Sequence, residues 1–489
     1  MEKGMNYVIS GYEPETMFHY FEQISAIPRS SGHEDKIVDF LEDFAKKNGL
    51  EYIRDAYKNI LIKKPAAPGL EGKPAVLLQG HTDMVCEKRE GSTHDFSKDG
   101  LTLLVENGIL HADGTTLGGD DGVAVAMMLA ILEDRSLLHP RLECLFTSDE
   151  EVGMSGAAHF DYSKITAERM INLDSETEGE ATVSCAGGAR AQLLLPCEKT
   201  AIPEAGKLLS VRITGLAGGH SGSDIHLQKA NADILLARLL AVVYEKTPCN
   251  LISIAGGTKD NAIPREASAV FFTCNPEEAG ECLRAAEKKI RKELTDADAG
   301  FRIKIGKPSR EPGEKMMTFR STRRVMDAVL LAPNGVYTKC PKDFSLVEAS
   351  SNLGILNEEN GAVVMTWLCR SSSESRMDAL LDRYKRLAAL LEADFKVFNR
   401  YPGWEMRKDS ALQRDFIDAC RQIYGGSVTP RITAIHAGLE CGLIISAVDH
   451  PLDAISIGPA LSNIHTPDET LELSSYARLW KLVMLLLQK

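Results

Sequence analysis

The sequence predicts an α/β protein: one domain with a mostly parallel sheet flanked by helices, and an inserted α+β domain made of two similar halves. Three observations predict it. In the first third, short apolar runs alternate with helical periodicity, as strands buried on both faces do. The middle follows another order, and that order occurs twice. Near the C-terminus the chain returns to an apolar run and a long helix. Residues 1–186 and 399–489 therefore read as two parts of one domain, and 187–398 as the insert.

The elements follow in order. Ile37, Phe40, Leu41, Phe44 and Ala45 recur at helical spacing, and Gly49 stands where a helix stops. The apolar runs Ala75–Leu78, Leu142–Phe146 and Met170–Leu173 read as strands, with a helix over Val123–Leu132 between the first two. In the insert, a strand at Leu208–Ile213 leads to a helix near Ile225–Tyr244 and strands near Leu251 and Ala269–Phe272. A helix near Glu277–Leu294 and a strand at Phe301–Ile305 complete that half. The pattern recurs as a helix near Arg323–Leu331, strands near Leu346 and Ala362–Leu368, a helix at Met377–Leu391 and a strand at Phe395–Phe398. The residues of the halves do not match, so the repeat is one of pattern. A strand at Ala454–Ile457 and a helix over Tyr476–Leu487 return to the first domain.

Composition narrows the function classes. A chain of 489 residues exceeds what one core supports. With 44% hydrophobic and 26% charged residues it has an ordinary soluble composition. A net charge of -13 with no basic block argues against nucleic acid or an anionic membrane surface as partner. The longest apolar run, Val123–Leu132, is far shorter than the ~18 residues of a membrane span. The opening stretch MEKGMNYVISGYEPE lacks the apolar centre of a signal peptide. Eleven cysteines without a Cys-x-x-Cys pair read as reduced thiols, which places the chain in a cytoplasm.

The chemistry lies where the apolar runs stop. LLQGHTDMV delivers His81 and Asp83 just past a strand. Leu142–Phe146 is followed by Asp149-Glu150-Glu151, and Met170–Leu173 by Asp174. Ala454–Ile457 is followed by a loop holding His465, and Asp120 sits in Gly118-Gly-Asp-Asp-Gly122 before the long helix. Singly, Asp120 is an ordinary helix cap, Glu150-Glu151 a solvated pair, and each histidine a packed loop residue. Together they put histidines and carboxylates at one edge of one sheet, the C-terminal edge where open α/β sheets bind ligands. Oxygen and imidazole donors suit zinc, with manganese or cobalt admitted.

GHTDMV, GGDDGVAVAM, TSDEEVGMSGA, NLDSE and SNIHTPDE resemble the di-zinc exopeptidase family that includes carboxypeptidase G, peptidase T and peptidase V. GGHSGSDIH, DNAIPREA and AIHAGLECG are similar to its branch that cleaves aminoacyl-histidine dipeptides. The resemblance spans nearly the whole chain. It implies a cytosolic di-zinc metallo-dipeptidase acting on small dipeptides, Xaa-His and β-alanyl-histidine favoured, and it allows a homodimer. His81 and Asp174 would hold one metal, Glu151 and His465 the other, with Asp120 bridging. Glu150 would be the general base, and Asp83 would fix the His81 tautomer. His220 in the inserted lid would stabilise the oxyanion. Asn261, Arg370, Gly438 and His436 would contact substrate, Arg370 through the dipeptide's carboxylate. The same resemblance implies a cis Asp120–Asp121 peptide. The doubled pattern of residues 187–398 predicts that His220, Asn261 and Arg370 serve their own chain, where shorter relatives carry one such half and borrow a second subunit's lid. The alternatives are an amidohydrolase of N-acyl or N-carbamoyl amino acids and a metal-binding scaffold without catalysis. The presence of Glu150 beside the ligand set speaks against the scaffold.

Overall fold

A computed structural model describes residues 7–308, 315–341 and 343–489, the last range without the side chains of 343 and 344. The first six residues of the N-terminal stretch lie outside it. The chain divides into two units. One comprises residues 1–184, 404–434 and 439–489; the other comprises 185–403 and 435–438.

The first unit is built on an eight-stranded sheet. Its order is Glu51–Arg54, Ile60–Lys64, Leu142–Thr147, Val76–His81, Arg169–Asn172, Asp453–Ser456, Glu180–Cys185 and Arg431–Ile435. The four central strands run parallel. Antiparallel pairs flank them: Ile60–Lys64 on Leu142–Thr147 at one side, and Glu180–Cys185 on Asp453–Ser456 at the other. Val76–His81 and Leu142–Thr147 are buried along their whole length, which is why they read as unbroken apolar runs. The helix Gly119–Glu133 is buried on every side from Asp121 to Leu132, as expected of a helix apolar all round. The sequence reading does not include the helices Glu15–Ser25, Ala411–Tyr424 and Glu440–Ala447, although Ala411–Tyr424 buries Leu412, Phe416, Ala419 and Cys420 at helical spacing.

The second unit is a nine-stranded antiparallel sheet with a mirrored plan. Its order runs Arg302–Gly306, Lys207–Thr214, Ala267–Thr273, Cys249–Thr258, Asp343–Glu359, Ala362–Ser371, Gly187–Pro196 and Asp394–Tyr401, with Gly335–Cys340 beside Asp343–Glu359. With Gly335–Cys340 set aside and each half's strands numbered along the chain, both halves read 2-3-1-4 outward from the middle. Each half adds two helices: Ala232–Lys246 and Pro276–Ile290 in one, Phe319–Leu331 and Glu374–Leu390 in the other. The halves are nested. Gly187–Pro196 opens the second half, and the whole first half intervenes before that half resumes. One continuous core joins them, with Leu236, Leu240, Phe271 and Leu283 from one half and Trp367, Leu380 and Tyr384 from the other.

Two expectations need correction. The helix expected from Ile225 begins at Ala232: Ile225–Leu227 is a single 3-10 turn, and Gln228 at φ 54° breaks it from the helix that Asn231 caps. The segment Ile435–Gly438, read with the C-terminal part of the first domain, falls in the second unit, where the Ala437 carbonyl accepts the Ala186 N–H at 3.0 Å.

Candidate metal centre

Parallel register decides where the side chains emerge. His81 stands opposite Thr147, and Gln79 opposite Asn172, so three neighbouring strands end nearly level. His81 is the last strand residue, Glu150 and Glu151 follow Thr147 by three and four, and Asp174 follows Asn172 by two. Asp120 stands just before the regular turns of the long helix: its backbone and that of Asp121 are non-helical, and the Asp120–Asp121 peptide is cis. His465 comes from the loop after Asp453–Ser456, itself at φ 61°, an uncommon conformation for a residue with a Cβ.

These residues meet. His81, Asp121 and Asp174 present ligand atoms within 4.8 Å of one another, as do His81, Glu150 and Glu151, and Asp120, Glu151 and His465. Asp120 lies between the histidines: its Oδ1 is 2.9 Å from His81 Nε2 and its Oδ2 is 3.1 Å from His465 Nε2. His465 Nε2 is also 3.1 Å from Glu151 Oε1, and Asp174 Oδ1 is 3.8 Å from His81 Nε2. His81 is 1% exposed and His465 45%, so the cluster is buried at one end and open at the other.

Asp83 orders the groups behind. His81 Nδ1 lies 3.1 Å from the Asp83 carbonyl and 3.3 Å from its Oδ1, which turns Nε2 toward Asp120. The same carboxylate accepts the backbone N–H of Glu150 at 3.1 Å, that of Glu151 at 3.3 Å, and the Ser31 hydroxyl at 2.8 Å. One side chain thus joins the His81 strand end to the Glu150–Glu151 loop.

The electrostatics suit a cation. Burial pushes the Asp174 carboxyl well above the carboxylate range, and the charge of Asp120 adds to it. Burial raises Glu150 to about 8, with the neighbouring carboxylates Glu440 and Glu151 contributing. Burial would lift Asp120 too, but hydrogen bonds from His465 and His81 outweigh it and hold the group low. Those bonds, Asp120 first, raise His465 to about 10. Acids forced to keep protons and imidazoles forced to hold them are what a donor set for divalent ions becomes without a counter-charge. The five residues fit such ions.

The remaining sequence-predicted residues gather in the second unit. Gly219–His220 pairs antiparallel with Ala262–Ile263, and the Ser221 N–H donates to the Asn261 carbonyl at 2.8 Å, which brings His220 beside Asn261. Arg370 Nη2 is 3.4 Å from His220 Nε2, and Arg370 Nη1 donates to the Tyr401 hydroxyl at 3.3 Å. His436 Nε2 is 2.7 Å from the Ser350 hydroxyl. Gly222 explains the glycine after His220: a Cβ there would lie 2.3 Å from the His436 carbonyl, 3.0 Å from Arg370 Nε and 3.1 Å from His220 Cε1. Gly438 ends the same short segment as His436. Burial, then the Arg370 charge, lowers His220 and brings His436 to about 3, so both rings are neutral near pH 7.

Sequence reasoning missed three groups packed against the centre. Arg29 reaches in from the loop Pro28-Arg-Ser-Ser-Gly32, Glu469 from the end of the HTPDE motif, and Glu440 from HAGLECG. Glu440 is fully buried on Gln79 Nε2 and the Thr147 hydroxyl, at 2.5 and 2.7 Å, and burial raises it to about 7.

The sequence profile of peptidase family M20/M25/M40 matches residues 77–489. The cytosol non-specific dipeptidase of Escherichia coli is 33% identical over 98% of this chain and 99% of its own. The crystal structure of aminoacylhistidine dipeptidase from Vibrio alginolyticus superposes with a TM-score of 0.90 at 33% identity, over 98% of this chain and 97% of that one. The aminopeptidase PepT of Bacillus cereus shares the fold at a TM-score of 0.56 and 16% identity, over 98% of each chain.

Proposed function

The chain belongs to peptidase family M20/M25/M40, and from that premise we propose that it is a dipeptidase whose two divalent ions are held by the cluster around Asp120. Its substrates are small unblocked dipeptides, Xaa-His and β-alanyl-histidine among them. The observation that carries the reading is Asp120, one carboxylate offering one oxygen to each of two histidines, with Glu150 half-buried alongside. His81 and Asp174 would hold one ion, Glu151 and His465 the other, with Asp120 within reach of both. Zinc suits the donors best, and manganese or cobalt is admitted. When bound, the ions supply a water of lowered pKa and polarise the scissile carbonyl. Glu150 takes the water's proton and returns it to the leaving amine. Its carboxylate is free for this because Asp83 anchors the residue through its backbone N–H.

Substrate orientation falls to the second unit's cluster. Arg370 is 5% exposed, its Nε has no partner, and no carboxylate pairs with it among the described residues. The Ser223 N–H and hydroxyl lie 3.1 and 3.0 Å from His220 Nδ1, and Arg370 Nη2 lies 3.4 Å from His220 Nε2. An anionic oxygen would accept from the guanidinium and, with Nδ1 accepting, from the Nε2 proton. A dipeptide offers it as its terminal carboxylate, or as the oxyanion that develops during hydrolysis. Asn261, His436 and Gly438 complete the contacts. The sequence's reduced thiols and the cytosolic relative support a cytoplasmic setting.

A substrate panel tests this. Chelator-stripped protein is reloaded with zinc, manganese or cobalt and offered Xaa-His, β-alanyl-histidine and other dipeptides beside N-acyl and N-carbamoyl amino acids. Metal-dependent cleavage of free dipeptides is expected. Turnover of the acylated substrates alone would make the protein an amidohydrolase, and no turnover with metal bound would make it a scaffold.

A further inference from the structure

We propose that Arg29 and Glu469 form a clamp on the backbone beneath Asp120, which makes three of the five metal-ligand segments, those of His81, Asp120 and His465, one mechanical unit; the inference rests on the two-metal reading above. Neither side chain belongs to the ligand set, and among the described residues neither makes a side-chain ion pair. Both spend their charge on backbone. Arg29, 2% exposed, donates from Nη1 to the carbonyls of Thr82 at 3.0 Å and Asp83 at 3.1 Å, the two residues after His81. Its Nη2 donates to the Gly118 carbonyl at 2.5 Å, two residues before Asp120.

Glu469 grips the same loop from the other side. Its Oε2 accepts the N–H groups of Leu117 at 2.8 Å and Gly118 at 3.0 Å, and its Oε1 those of Gly119 at 2.8 Å and Asp120 at 3.4 Å. Glu469 lies four residues beyond His465. The residue Gly118 is thus held at both its carbonyl and its N–H, by a cation tied to the His81 loop and an anion tied to the His465 loop.

The glycines of GGDDG are shaped around these two side chains. A Cβ on Gly118, at φ 64°, would lie 2.5 Å from Arg29 Nη2, and one on Gly122 2.8 Å from the same nitrogen. A Cβ on Gly119 would lie 3.2 Å from Glu469 Oε1 and 2.7 Å from Leu461 Cδ2. A serine or aspartate of the loop itself would suffice to cap the helix. A carboxylate recruited from the His465 loop does more, because it ties a ligand of one metal to the carboxylate shared by both. The guanidinium is needed for its fork: one rigid plane reaches three carbonyls on two loops, which a lysine cannot do. Arg29 and Glu469 are therefore positioning residues, acting on the metals through Asp120.

The test compares chelator-stripped wild type with Glu469→Gln, Arg29→Lys and the double variant, by calorimetric titration with manganese and by thermal unfolding of the metal-free proteins. Glutamine can serve only one pair of the N–H groups, since its amide nitrogen is itself a donor. Lysine keeps the charge and loses the fork. Each single change is expected to weaken manganese binding by about 10- to 100-fold, the range for partners behind metal ligands. The double variant should lose less than the product of the two, because both act through one loop. Should Glu469→Gln fail to fold, Glu469→Asp replaces it, with the charge kept and the reach shortened. A lowered melting temperature with unchanged manganese affinity would make the clamp merely structural and overturn the proposal. Wild type that binds neither manganese nor zinc in the same titration would overturn the two-metal reading, and the clamp with it.

Discussion

At the scale of single residues, the centre depends on which groups keep their protons. Glu150 sits at about 8 through burial, so without metal it stays neutral where an exposed glutamate is charged. An unfolded chain ionises it near 4.5, so this group's contribution to stability falls as pH rises from about 4.5 to about 8. His465, raised to about 10 by Asp120 and Glu151, contributes stability that is full below about 6.5 and is lost as pH rises toward 10. Both trends run the same way. Metal ions expel these protons, so the rise in melting temperature on adding manganese should be larger at pH 8.5 than at pH 6. An equal or smaller rise at pH 8.5 would mean that these groups are not the ones displaced. Glu150→Gln should retain the metals while hydrolysis falls by a factor of roughly 100 or more, as for loss of a positioned base; metal analysis beside a dipeptide assay measures both. The candidate ligands were legible in the sequence because four are chemical side chains standing where an apolar run ends, and Asp120 stands between glycines just before another begins. Arg29 and Glu469 were not, because they address carbonyls and N–H groups, which every residue possesses.

At the scale of elements, Gly80 governs how closely the Asp120 helix approaches the His81 strand. A Cβ there would lie 2.3 Å from Ala124 Cβ and 2.4 Å from Asp121 Oδ2, the oxygen that accepts the His81 N–H at 3.2 Å. Gly80→Ala should push the helix start away, costing about 1–3 kcal/mol as overpacking does, and should weaken metal binding as well. Urea unfolding of metal-free protein reads the first effect and a metal titration the second; a neutral outcome in both would show the contact to be easily relieved. The strands with unbroken apolar runs were readable, as was the helix–strand–strand–helix–strand order of the second unit's halves, to one of which Gly335–Cys340 adds an unforeseen strand. Gly187–Pro196 escaped notice. Its buried positions include Gly187, Gly188, Ala189 and Ala191, small residues that make no apolar run, and its half resumes only after the other half is complete. Register brought out what composition hid.

At the scale of the whole molecule, each unit carries its own core. In the first, Leu78, Phe146, Met127 and Ile455 are fully buried around the parallel strands; in the second, Phe271, Trp367 and Tyr384 are buried on the antiparallel sheet. Only the first holds the candidate ligands, since His81, Asp120, Glu151, Asp174 and His465 all fall within its residues. Units with separate cores are expected to unfold in separate steps. A metal that binds one folded unit stabilises that step by mass action, by about 4 kcal/mol at a thousandfold excess over its Kd. For a unit of this size that is on the order of 10 °C. Differential scanning calorimetry with and without a chelator should therefore show one transition that falls by about that amount and another that stays in place. If every transition moved together, the metals would be stabilising both units, and assignment of the ligand set to the first unit alone would have to be abandoned.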